Sequence, residues 1–104
     1  MKRILTICQG GLVRSVGMKY ALTYKYRFGE AIALGVEGNT AETILAIAKM
    51  CDQVILMDST LKSSMPEGIE YLLCDVGPDV FRNPFHEDLQ QKISDWLVLN
   101  GKFI

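Results

Sequence analysis

Four short apolar runs, residues 3–7, 31–36, 53–57 and 69–73, alternate with segments of helical periodicity, and that alternation leaves few folds open. Each run is far too short to cross a membrane and is bounded by glycine, proline or polar residues, as buried strands are. After the first run, Val16, Tyr20, Ala21, Tyr24 and Phe28 recur at three- and four-residue steps. They predict a helix from residue 14 to about 28, stopped by Gly29. Asn39, followed three residues later by Glu42, has the form of a capping box for a second helix whose Ile44, Leu45, Ala48 and Cys51 share one face. The polar residues 59–68 leave room for one short helix, and Asn83-Pro84 predicts the cap of a last helix presenting Leu89, Ile93, Trp96 and Leu97. Strands alternating with helices predict an α/β fold with a largely parallel sheet.

A chain of 104 residues, 49% hydrophobic and 22% charged, suits one domain around one core. A formal net charge of −1 removes the general electrostatic case for nucleic acid or an anionic membrane as partner. Met1-Lys2-Arg3 leads into only a few apolar residues, so no secretory leader and a cytoplasmic location are expected. Cys8, Cys51 and Cys74 are odd in number and widely spaced, which suits reduced thiols rather than zinc ligands or a disulfide framework. No metal or cofactor is expected.

The first strand leaves through ICQGGLVRSVG, residues 7–17. A turn from strand into helix aims several backbone N–H groups and the positive end of the helix dipole at one spot, which favours an anion. Gly10 and Gly11 permit the dihedrals that let successive amides of Gln9, Gly10, Gly11, Leu12 and Val13 converge, and keep side chains out of the concavity. Arg14 supplies a planar fork matched to two oxygens of a phosphate. Cys8, at the strand end below, would feel the same positive field, which favours its thiolate. A Cys-x5-Arg pair alone arises by chance in roughly one such chain in ten. The strand before it, the helix after it, the double glycine within it and Ser15 behind it make the pattern far more specific.

These residues resemble the low-molecular-weight protein tyrosine phosphatases, whose loop after the first strand reads C-x-G-N-x-C-R-S. Cys8, Gly10, Arg14 and Ser15 match in place. DQVILMD, residues 52–58, is similar to the family's third strand, and GPDVF, residues 77–81, to its proline-aspartate segment with a nearby aromatic. The sequence departs from the pattern at four positions. Gly11 stands for asparagine, Val13 for the second loop cysteine, and Val16 and Val80 for prolines. The resemblance implies a three-layer sandwich, with a four-stranded mostly parallel sheet in the order 2-1-3-4 and helices on both faces, filling residues 1–104.

It also implies a chemistry. Cys8 attacks phosphorus to form a phosphocysteine while Arg14 and the loop amides hold the equatorial oxygens. Ser15 donates to the sulfur, and an acid in the late loop protonates the leaving oxygen and later activates water. Asp79, after Pro78 and before Phe81, is the expected acid, with Asp75 the alternative. The expected substrate is a phosphorylated protein or small phosphomonoester, with inorganic phosphate as product. A phosphate-binding module without turnover is the second reading. An arsenate reductase would need redox cysteines near Cys8, and Arg14 suits a hydrolytic loop better than that of a sugar-transport phosphocarrier. Cys51 and Cys74 are expected to be packed thiols, His86 a surface residue, and the cluster Tyr20, Tyr24, Lys25, Tyr26 and Arg27 a half-buried helix face.

Overall fold

A computed structural model describes residues 2–104. In chain order the elements are β1 (Arg3–Cys8), α1 (Arg14–Tyr20), β2 (Glu30–Gly35), α2 (Ala41–Lys49), β3 (Gln53–Leu56), β4 (Leu72–Leu73) and α3 (Glu87–Asn100). The four strands form one sheet in the order β2-β1-β3-β4, and every pairing is parallel. The expected order therefore holds, and the sheet is wholly rather than mostly parallel.

Alternation along β1 sorts the core into two layers. Ile4 and Cys8 face α1 and α3, where Met18, Leu22, Ile55, Met57, Leu89 and Ile93 pack with them. Leu5 and Ile7 face α2, against Ile44, Ala48, Val54 and Leu56. Ile4, Leu5 and Ile7 have no solvent exposure, and each such burial contributes about 2 kcal/mol. A central parallel strand covered on both faces has to be apolar, which is why residues 4–8 are all buried and all but one of them apolar. Thr6 is the exception. Its hydroxyl donates to the Ser15 carbonyl at 2.8 Å and fastens the start of α1 to the sheet.

Four local expectations give way. The first helix is α-helical only to Tyr20, then widens into a π-turn, Ala21–Lys25, closed by Tyr26 N–H to Ala21 C=O at 2.8 Å. Arg27, with φ 56°, makes the left-handed exit. Gly29 is needed for another reason, since a Cβ there would lie 2.5 Å from the Lys2 carbonyl oxygen. The cap of α2 is Thr40, whose hydroxyl accepts from Thr43 N–H at 3.1 Å, while Asn39 turns back to donate to the Gly35 carbonyl at 2.8 Å. Only Leu72–Leu73 of the fourth apolar run pairs as a strand. Ile69 and Tyr71 pack on the α2 layer instead, and Glu70 between them is exposed. Asn83 caps a turn, accepting from Phe85 N–H at 2.8 Å, and α3 begins later with His86 Nδ1 accepting from Asp88 N–H at 3.1 Å.

The assignment of the α2 cap is testable by urea unfolding. Thr40→Ala is expected to cost about 1 kcal/mol and Glu42→Ala only a few tenths.

Candidate functional site

The chain runs from β1 outward to β2 on one side and to β3 on the other, so the sheet's switch point lies between β1 and β3. The segments after these two strands meet there, at the carboxyl end of the sheet. Cys8 ends β1 directly opposite Gly35 of β2. Its sulfur accepts from Gly11 N–H at 3.2 Å and lies 3.1 Å from Ser15 Oγ, where the thiol donates. The double glycine is shaped by close packing as much as by dihedral freedom. Gly11 has φ 71°, and a Cβ on it would sit 2.5 Å from the Gly35 nitrogen. The loop therefore lies flat on the end of β2. Its other residues, Gln9, Gly10, Leu12 and Val13, carry it to α1, which lacks a side-chain cap and an acidic first turn. Among the described residues, the N–H groups of Gly10, Leu12 and Val13 have no protein acceptor.

Arg14 is only 1% exposed. Its Nη1 donates to Asp58 Oδ2 at 2.6 Å and to the Gly77 carbonyl at 2.9 Å, while Nε is buried without a partner. Asp58, just past β3, is fixed in turn through Oδ1, which accepts from Thr60 N–H at 2.9 Å and Thr60 Oγ1 at 2.7 Å. Burial opposes the charge on Asp58, but the Thr60 and Arg14 hydrogen bonds and the guanidinium charge outweigh it and hold the carboxyl below its ordinary range. Asp58 was legible as the residue ending the third apolar run, not as the partner of Arg14. Its place beside β1 follows only from strand order.

The late loop reaches the same point through Gly77. Asp75 Oδ1 accepts from Gly77 N–H at 3.0 Å. Hydrogen bonds from Ser59 first and Gly77 second keep its carboxyl below the usual range. That bonding commits Asp75 to accepting hydrogen bonds and suits it poorly to donating a proton. Asp79 is exposed, and the Val80 N–H to Pro78 C=O bond at 2.9 Å closes a γ-turn on it. Asp75 and Asp79 both line a cavity of about 390 Å³ with Gln9, Arg14, Asp58 and Thr60. Cys8 does not line it and is 2% exposed. Phe81 turns away from the mouth into the core, with the Lys92 ammonium 5.6 Å from its ring centre.

The other cysteines stand apart. Continuing the β1-β3-β4 register places Cys74 level with Met57, which is level with Cys8. At strand spacing near 4.8 Å, the Cys8 and Cys74 Cα atoms are roughly 10 Å apart, beyond disulfide reach. Burial, then the Asp75 charge, pushes the Cys74 thiol up to about 12. Cys51 precedes β3 at the opposite end of the sheet, where burial raises its thiol too. His86 serves as the α3 cap. In the aromatic-basic cluster, Tyr20 is half-buried against Phe85 in an edge contact at 5.0 Å, while Tyr24 and Tyr26 are 66% and 42% exposed.

Comparison of the chain with models of protein families, with curated proteins and with solved structures finds no match. No helix among the described residues is long and apolar enough to cross a membrane.

The Arg14–Asp58 pair makes a prediction about stability. Asp58→Ala leaves a buried guanidinium uncompensated and is expected to cost about 3 kcal/mol at neutral pH by denaturant unfolding. Because the folded-state pKa of Asp58 lies below its unfolded value, its contribution is present above about pH 4 and is lost as pH falls further. The gap between native chain and variant should therefore narrow in acid.

Proposed function

We propose that the chain is a cysteine-dependent phosphatase acting on phosphotyrosine or a similar phosphomonoester, of the low-molecular-weight protein tyrosine phosphatase type, in the reducing cytoplasm. The supporting observation is the sulfur of Cys8, held between the Gly11 amide and the Ser15 hydroxyl in the loop that also carries buried Arg14 with its unpartnered Nε. A thiolate so placed attacks phosphorus as the bond from phosphorus to the leaving oxygen breaks. Asp79 gives that oxygen its proton. Water then attacks the phosphocysteine, the Asp79 carboxylate takes the water's proton, and the sulfur–phosphorus bond breaks to release phosphate. Arg14 Nε and Nη2, which take no protein acceptor among the described residues, and the amides of Gly10, Leu12 and Val13 are the donors available to the equatorial oxygens.

A phosphate-binding module without turnover is the second reading. It is favoured by the 2% exposure of Cys8 and by the engagement of Arg14 Nη1 with Asp58 and Gly77. An arsenate reductase is disfavoured by the positions of Cys51 and Cys74, neither of which can resolve a disulfide with Cys8 without large movement. A sugar-transport phosphocarrier has no evident need of a buried arginine.

Hydrolysis of a small aryl phosphate in the presence of a metal chelator separates these readings. Cys8→Ser should abolish turnover, Arg14→Ala should lower it by about 100-fold or more, and Asp79→Asn by about 100-fold with a poor leaving group. Asp75→Asn should cost far less. Full activity in Cys8→Ser ends the phosphatase proposal, and a crippled Asp75→Asn beside a silent Asp79→Asn moves the acid to Asp75.

A further inference from the structure

Within that reading of the site, we infer that the preferred ligand is a phosphorylated peptide segment with lysine or arginine beside the phosphoresidue. Among the residues lining the cavity, Arg14 is the one cation and stands against three carboxylates, Asp58, Asp75 and Asp79. Asp58 already sits on the guanidinium at 2.6 Å, so the arginine offers an incoming dianion directional donors but little net positive charge. A further carboxylate lies one hydrogen bond outside the wall, because Gln9 Nε2 donates to Glu37 Oε1 at 2.6 Å. No lysine lines the cavity, and Lys92, near the late loop, is bound to the Val76 carbonyl at 3.3 Å.

A phosphate group on the Cys8 loop beside this cavity is thus attracted by the loop amides and by the Arg14 N–H groups that Asp58 and Gly77 do not take, and repelled by the carboxylates around the mouth. Protonation of Asp79 when it acts as acid removes one negative charge. Asp75 and Glu37 remain, both exposed. A ligand that carries its own cations to the rim converts their repulsion into attraction. A peptide fits better than a small ion because each of the two loops adds an exposed apolar side chain. Leu12, 76% exposed, belongs to the first loop and Val80, 68% exposed, to the late one.

The test uses two phosphotyrosine peptides, one with lysine on each side of the phosphoresidue and the same peptide with glutamate there. Their binding to the full chain carrying Cys8→Ser is measured by calorimetry, so that affinity is read without turnover. The lysine peptide should bind about tenfold more tightly at low ionic strength. In Asp75→Asn combined with Glu37→Gln, which keeps the Asp75 acceptor for Gly77, the ratio should fall to between one and two. In 0.5 M salt, where the Debye length is only about 4 Å, it should fall likewise. Equal affinities, tighter binding of the glutamate peptide, a preference that survives loss of both carboxylates, or no binding of either peptide would overturn the inference. Hydrolysis by the native chain is scored separately. Lysine-selective binding without turnover ends only the phosphatase reading, and turnover without charge selectivity ends only this one.

Discussion

The buried ion pair between Arg14 and Asp58 joins segments that are far apart in the chain. Arg14 opens α1, Asp58 follows β3, and the second acceptor on the same Nη1 is the Gly77 carbonyl of the late loop. Desolvation offsets much of the Coulomb gain in a pair of this kind, so its net contribution to stability is small although breaking it is costly. Its effect is geometric. With Gly11 pressed onto Gly35 on one side and Arg14 bound to Asp58 on the other, the loop between β1 and α1 has little freedom, and the Cys8 sulfur keeps its place between the Gly11 amide and the Ser15 hydroxyl.

The same contact shapes the electrostatics at the carboxyl end of the sheet. Asp58 spends the charge of Arg14 before any ligand arrives, which leaves amides as the principal attraction for an anion and carboxylates as the surroundings. Arg14 Nη1 itself ties the loop bearing Asp79 to the start of α1 through the Gly77 carbonyl. Any movement of Arg14 toward a bound oxygen would therefore be felt in the late loop.

Much of this arrangement was legible in short-range pattern. The apolar runs announced strands because a central parallel strand is buried on both faces, and the helices followed from three- and four-residue spacing. Cys8, Arg14 and Ser15 could be assigned to one strand–loop–helix turn because they lie within seven residues of chain. Element ends were less legible. Thr40 rather than Asn39 caps α2 because Asn39 is drawn to the Gly35 carbonyl, and Gly29 is glycine because Lys2 passes close behind it. The first reason lies only four residues back, at the end of β2, where helix rules for capping do not look; the second depends on β1 pairing with β2 and lies outside any local window. Tyr71 and Ile69 have strand-like character but only Leu72–Leu73 pairs, since packing on the α2 layer takes up the rest.

The sequence by itself determined the α/β class, the strand–loop–helix around Cys8 and the identities of the groups offered there, because these depend on periodicity and on residues close in the chain. Tertiary structure alone decided which acid meets Arg14, which aspartates share the cavity and how far Cys51 and Cys74 lie from Cys8. Those outcomes depend on strand order, and strand order is set by how whole faces pack. Asp58 becomes the neighbour of Arg14 only when β3 takes its place beside β1, and no spacing within the chain encodes that adjacency.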